Sequence, residues 1–279
     1  MLTNLRLAQI YAVMRLEFKK TFFARRGLWI YLLAFSPVAL FAGHTIMQLR
    51  LQRPCDFGLD TNIFAGVFQF FYLRLAVFFG CLGIFMNLFR GEVLDKSLHF
   101  YFLAPIRRDV LLVGKFITGL SAAILIFCSS AIIQFFALYW HFPSNALQDY
   151  LFHNNGLSHL GAYVGVTALA CLGYGTVFLA AGILLRNPII PAAVILVWEA
   201  ANAFLPAVLQ KLSVIYYLKS LGPIAIPPDV PPPIALLVVN PDPVSPIVAI
   251  PGLFLLSAAV LALASLRLRR MEISYGGEA

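Results

Sequence analysis

Charge is scarce in this chain: Asp, Glu, Lys and Arg supply 11% of its 279 residues, whereas 61% are hydrophobic. So little polar surface cannot cover a globule in water, which excludes a soluble enzyme or binding module and leaves an integral membrane protein. Acids are the rarest charge, twelve against twenty Lys and Arg, so the net charge is +8. Cysteine is sparse as well. Cys81, Cys128 and Cys171 fall in apolar runs and Cys55 stands alone, without the spacing of a disulfide framework or a metal site. Alternating short strands of the kind that build a barrel are missing. A phosphate loop of the GxxxxGK[ST] type is missing too: Gly114 and Lys115 run into Phe116 without the upstream glycine. The chain is therefore not expected to be an ATPase, and no cofactor or metal is expected in it.

What the sequence does have is length in its apolar runs. A bilayer core takes about 20 mostly apolar residues per helix, and six stretches satisfy this: 28–49, 66–89, 116–139, 157–185, 188–209 and 247–266. The expected fold is an all-α integral membrane protein, a single transmembrane domain over residues 1–279. The fourth stretch is long enough to tilt. The first follows Arg25 and Arg26, lacks a small-residue cleavage pattern and exceeds the apolar core of a signal peptide, so it is expected to be retained.

Cations sort the two sides. With the N-terminus inside, the inner side collects Arg6, Arg15, Lys19, Lys20, Arg25, Arg26, Arg90, Lys96, Arg107, Arg108, Lys115, Arg186, Arg267, Arg269 and Arg270. The outer side keeps only Arg50, Arg53, Lys211 and Lys219. The positive-inside rule then places both termini in the cytoplasm and the chain, multi-pass, in a cell membrane, plasma or inner. These cations hug span ends and form no stripe with interleaved aromatics, so lipid and not nucleic acid is the expected partner.

Between the spans the pattern changes. In residues 1–27, Leu7, Ile10, Tyr11, Met14 and Phe18 recur at helical spacing with Arg15, Lys19 and Lys20 on the flanks and back, which predicts an amphipathic helix in the inner headgroup layer. Residues 210–246 form the outer loop. Its first part places Leu212, Ile215, Tyr216 and Lys219 at helical spacing, and its second is too rich in proline for a continuous helix. In the fourth span Gly161, Gly165, Ala168, Gly175 and Gly182 fall on one stripe, the composition of close helix packing in lipid. Arg74 in the second span and Glu199 in the fifth are the charges with least reason to be in lipid. Their similar depth predicts that they meet, as an interhelical brace or in a transport pathway.

The connection 92–115, EVLDKSLHFYFLAPIRRDVLLVGK, concentrates acids, bases, aromatics and a proline between two apolar runs. SLHFYFL has room for about two helical turns before Pro105 stops it, which makes an in-plane helix faced by Phe100, Tyr101 and Phe102. Glu92, Ser97, Pro105, Arg108, Gly114 and Lys115 stand at spacings that resemble the permease subunits of ABC type-2 exporters, as do the basic amphipathic start, the six spans and the outer segment between the fifth and sixth. Two positions depart from that pattern: Lys96 where a glycine is usual, and Leu94 where a second acid is. The resemblance implies that region 90–115 couples the chain to an ATPase, with a coupling helix over 95–103 that docks on a nucleotide-binding subunit. Glu92, Asp95, Ser97, Phe100, Tyr101, Phe102, Pro105, Arg108 and Lys115 are then the ATPase-coupling residues. It also implies two copies of that ATPase, holding ATP and Mg, and a second copy of this permease or a related one.

Two rival functions carry different signatures. A membrane-embedded enzyme would need more than His141, His153 and His159, since two histidines six apart do not share a helix face and no acidic partner is expected to orient them. An ion-coupled secondary transporter would show several intramembrane acids or helices broken at the midplane.

Overall fold

The computed structural model describes residues 2–23, 27–51, 56–94, 103, 107–185, 189–224 and 244–270. Among them the regular structure is helical throughout. The helices are α1 (Leu2–Phe23), α2 (Leu28–Leu51), α3 (Phe57–Val67), a π-helical stretch (Phe68–Val77), α4 (Phe78–Leu94), α5 (Arg108–Tyr139) and α6 (Ser144–Phe152). They continue with α7 (Gly156–Leu184), α8 (Ile189–Ala200), a 3₁₀ turn (Ala201–Phe204), α9 (Ala207–Gln210), α10 (Val214–Lys219) and α11 (Pro246–Arg269). Five helical segments are long and apolar enough to cross a membrane: α2, the continuous run Phe57–Phe89, α5, α7 and α11. The protein is a multi-pass α-helical membrane protein.

Local sequence explains how these helices begin and bend. Asp56 opens α3, its Oδ1 accepting the Gly58 and Leu59 amides at 2.8 and 3.3 Å, as an N-cap acid should. Pro37 lies inside α2 and removes one helical N–H. The Leu33 carbonyl that loses its partner is taken by the Ser36 hydroxyl at 2.9 Å. Pro246 begins α11 at a position where a missing N–H costs nothing.

Packing centres on α7, most of which is buried, whereas most of α2 and α11 is not. α4, α5 and α11 all pack on α7, while α1 and α2 pack on α5. The glycines of α7 divide by position. A Cβ on Gly175 would fall 2.5 Å from the Phe85 ring, and one on Gly182 would fall 3.2 Å from Met86 Cα. These two let α4 and α7 approach closely. A Cβ on Gly161 or Gly165 would meet nothing within 4 Å among the described residues.

The stretch expected to be an unbroken fifth span, 188–209, is broken. α8 has twelve residues, a rise of about 18 Å, well short of a membrane core of about 30 Å. A 3₁₀ turn follows it, and Pro206 then opens α9. Proline at this point disfavours α conformation in the residue before it, and Leu205 is accordingly extended. The chain then re-enters a second short helix, α10, whose Val214 packs on Gly173 of α7 and whose Tyr217 packs on Gly252 of α11.

The N-terminal helix forms where expected, but a different face is buried. Val13 and Glu17 are buried against the bundle, while Tyr11, Leu16 and Phe18 point outward. The seat is chosen by a charge and a glycine on α5, Lys115 and Gly114.

Candidate functional site

Three places gather polar residues: the end of the bundle where α5 starts, the broken fifth segment, and the opposite end where α5 stops. We call the first and last the proximal and distal ends.

At the proximal end Lys115 is fully buried, at 0% exposure. Its ammonium donates to Glu17 Oε1 at 2.8 Å and to the Leu88 carbonyl at 2.9 Å, with the Phe89 ring centroid 5.4 Å away. One side chain thus ties α1, α4 and α5. Next to it, Gly114 admits α1: a Cβ there would fall 2.9 Å from Val13 Cγ1. The Gly-Lys pair therefore seats the N-terminal helix. Arg108 does comparable work at the first turn of α5, donating through Nη1 to the Leu268 and Arg269 carbonyls at 3.0 and 2.9 Å. Those carbonyls lie in the last turn of α11, where helices leave acceptors to be capped. Asp109 completes the join with a two-pronged bond to Arg269, Nε to Oδ1 and Nη2 to Oδ2 at 2.8 Å each, and accepts from Ser265 at 2.9 Å. Whatever moves the start of α5 is connected to α1, α4 and α11 together.

Of the coupling residues expected from sequence, Arg108 and Lys115 are thus placed in this join. Glu92 belongs to the last turn of α4. Asp95, Ser97, Phe100, Tyr101, Phe102 and Pro105 lie outside the described residues, as do Cys55 and residues 225–243.

In the broken segment Glu199 is a buried hub. Its carboxylate accepts from the Ile215 amide at 2.8 Å, the Val214 amide at 2.9 Å and the Ser213 hydroxyl at 2.9 Å, with Tyr174 Oη at 3.5 Å. Glu199 thereby takes up the amides that begin α10. Asn202 donates to the Gln210 carbonyl and Gln210 to the Leu205 carbonyl, at 3.1 and 2.9 Å. Irregular backbone inside an apolar bundle needs such internal partners. Arg74, on the π-helical stretch, lines one small cavity with Ile215, Leu218 and Lys219 of α10, and its guanidinium lies 5.7 Å from the Phe70 ring centroid. The two intramembrane charges are brought to one neighbourhood, but Glu199 also closes a break in the backbone.

At the distal end stands a cluster that no sequence pattern announces. Asp60, 2% exposed, lies between two histidines, with His44 Nε2 3.2 Å from Oδ1 and His141 Nε2 3.1 Å from Oδ2. His141 was expected to lack an acidic partner; α3 supplies one. His153 sits on the surface beside Asp149, and His159 Nδ1 lies 3.4 Å from Tyr150 Oη. Among the described residues no group of His, Cys, Asp and Glu has the disposition of a metal site.

No family model matches this sequence, and no curated protein matches it.

Proposed function

We propose that the chain is the membrane-spanning permease subunit of an ATP-driven ABC transporter, an exporter of the type-2 class, which forms the substrate pathway and is driven by a separate nucleotide-binding subunit. In this reading the region 90–115 is the cytoplasmic coupling element. It carries the coupling helix and its aromatic face, Phe100, Tyr101 and Phe102. The observation that most supports the reading is the join at the start of α5: Arg108, Asp109 and Lys115 fasten α1, α4 and α11 to the point where this element enters the bundle. A push there reaches most of the bundle at once.

The finer topology follows from the same reading. Both termini face the cytoplasm of a plasma or inner membrane, and the broken segment α8–α10 stands as the fifth of six membrane passes. Two ATPase copies with ATP and Mg, and a second permease, complete the assembly. The test is isolation of the tagged chain from its own membrane. A polypeptide that hydrolyses ATP is expected to copurify, and its loss from the Phe100→Ala/Phe102→Ala variant, with membrane insertion retained, is the supporting result, since buried aromatic anchors dominate interface energy.

One observation favours a second reading. A helix broken beside a buried acid, as at Glu199, is also the architecture expected of an ion-coupled secondary transporter. Substrate movement that follows an ion gradient in vesicles without ATP would favour that rival.

A further inference from the structure

The π-helical stretch Phe68–Val77 decides which of its side chains face α10. In an α-helix, at about 100° per residue, two positions five apart point about 140° away from each other. The wider i→i+5 turn of a π-helix brings such positions towards one side. Gln69 and Arg74 are five apart, and both line the same small cavity, together with Lys219, the last residue of α10, and Gly222. The polar part of the wall is thus two cations and an amide, with Gln69 Nε2 also donating to the Ile224 carbonyl at 3.4 Å. Gly222 lets the backbone pass close: a Cβ there would fall 3.0 Å from Gln69 Nε2. The rest of the wall is apolar, Phe70 and Leu218 among it, and none of the described residues that line the cavity is acidic. The Glu199 carboxylate is turned instead to the Val214 and Ile215 amides and the Ser213 hydroxyl.

We propose that this cavity between the π-helical stretch and α10 binds one phosphate group. Two like charges that face one cavity in apolar surroundings repel each other, and an anion between them turns that repulsion into two attractions. The guanidinium fork of Arg74 matches two oxygens of a phosphate at once, which favours an oxyanion over a spherical halide. Two cations also suit a phosphate monoester, which carries about 1.5 to 2 negative charges at neutral pH, better than a singly charged carboxylate. The cavity is small enough to admit the charged group alone, so its source is either a free phosphate or the headgroup of a lipid whose chains lie outside. Ile215 lines the cavity while its amide donates to Glu199, so a bound phosphate would tie the π-helical stretch to the broken fifth segment. The site lies outside the coupling region and stands whichever energy source drives the protein.

The test is native mass spectrometry of the full chain, delipidated in detergent, with inorganic phosphate and short-chain phosphatidic acid as probes. Short-chain phosphatidylcholine, whose choline offsets its phosphate, is the control. The expected result is a one-to-one adduct with a probe and none with the control. An adduct with phosphatidic acid that inorganic phosphate does not displace identifies a lipid headgroup, whereas binding of, or displacement by, inorganic phosphate identifies a free anion. Lys219→Gln is expected to weaken the adduct about tenfold or more, through loss of one charge-assisted hydrogen bond. Lys219→Arg is expected to retain it, and Lys211→Gln, at an exposed cation outside the cavity, to leave it unchanged. Equal binding of phosphatidylcholine, equal weakening by Lys211→Gln, or no one-to-one adduct with either probe in the unmodified chain overturns the proposal. The last readout needs no variant, so it does not depend on any substitution folding.

Discussion

A single buried lysine sets the geometry of the proximal end. Lys115 has traded water for Glu17, one carbonyl and an aromatic face, and removing one partner of such a pair leaves an uncompensated charge, at a cost of about 3–5 kcal/mol. Glu17→Leu and Lys115→Met are each expected to lower the thermal midpoint of the purified protein sharply. The double variant is expected to recover most of the loss, because an apolar pair of similar volume removes both charges. Glu199 calls for a different expectation. A charge swap with Arg74 would put a guanidinium, which has no acceptor, against the Val214 and Ile215 amides and the Ser213 hydroxyl. The Arg74→Glu/Glu199→Arg protein is therefore expected to be no better folded than Glu199→Arg alone, while Glu199→Gln, which keeps one acceptor, retains more. Recovery in the swapped protein, measured by monodispersity and thermal midpoint, would mean that pairing with Arg74 outweighs closure of the backbone. Glu17 itself was legible in part: it is the sole acid among the first 55 residues and follows Val13 at helical spacing. The distal cluster was not, because His44, Asp60 and His141 meet only once three elements have packed.

At the scale of elements, apolar length located the membrane-crossing helices well. Composition cannot see a break made of apolar residues. Ala201, Phe204, Leu205 and Pro206 all read as lipid-compatible, and only the proline signalled that the fifth stretch would not run through. Helix periodicity likewise marked α1 but not its buried side, since its apolar side chains have two surfaces to choose from and Gly114 with Lys115 decides between them. Glycine spacing carried the same ambiguity in α7, where Gly175 and Gly182 meet α4 but Gly161 and Gly165 meet nothing among the described residues. Gly182→Leu is accordingly expected to cost about 1–3 kcal/mol by overpacking against the Met86 backbone. Gly161→Leu is expected to leave the thermal midpoint of the monomer unchanged, and equal effects in the two variants would show that the α4–α7 approach is not rigid.

For the whole molecule, the proposed account is of a bundle gripped at one end. α1, α4, α5 and α11 are joined around the coupling region 90–115, while the distal ends are held by a separate cluster, so a force applied at the start of α5 would be felt across most of the spans. Topology is the first requirement. Cys55 is expected to react with a membrane-impermeant thiol reagent outside intact cells, whereas a cysteine placed by Ser97→Cys is not, and the reverse pattern would put the coupling element on the wrong side for an ATPase. The most direct measurement is a photo-crosslinker placed at Phe100 in the native membrane, followed by mass identification of the adduct. The account predicts a covalent adduct with a nucleotide-binding polypeptide that forms in intact membranes and is lost when the crosslinker is moved to Phe136, an outward-facing position in α5. Adducts to lipid or to this chain alone, with no ATPase among them, would contradict it.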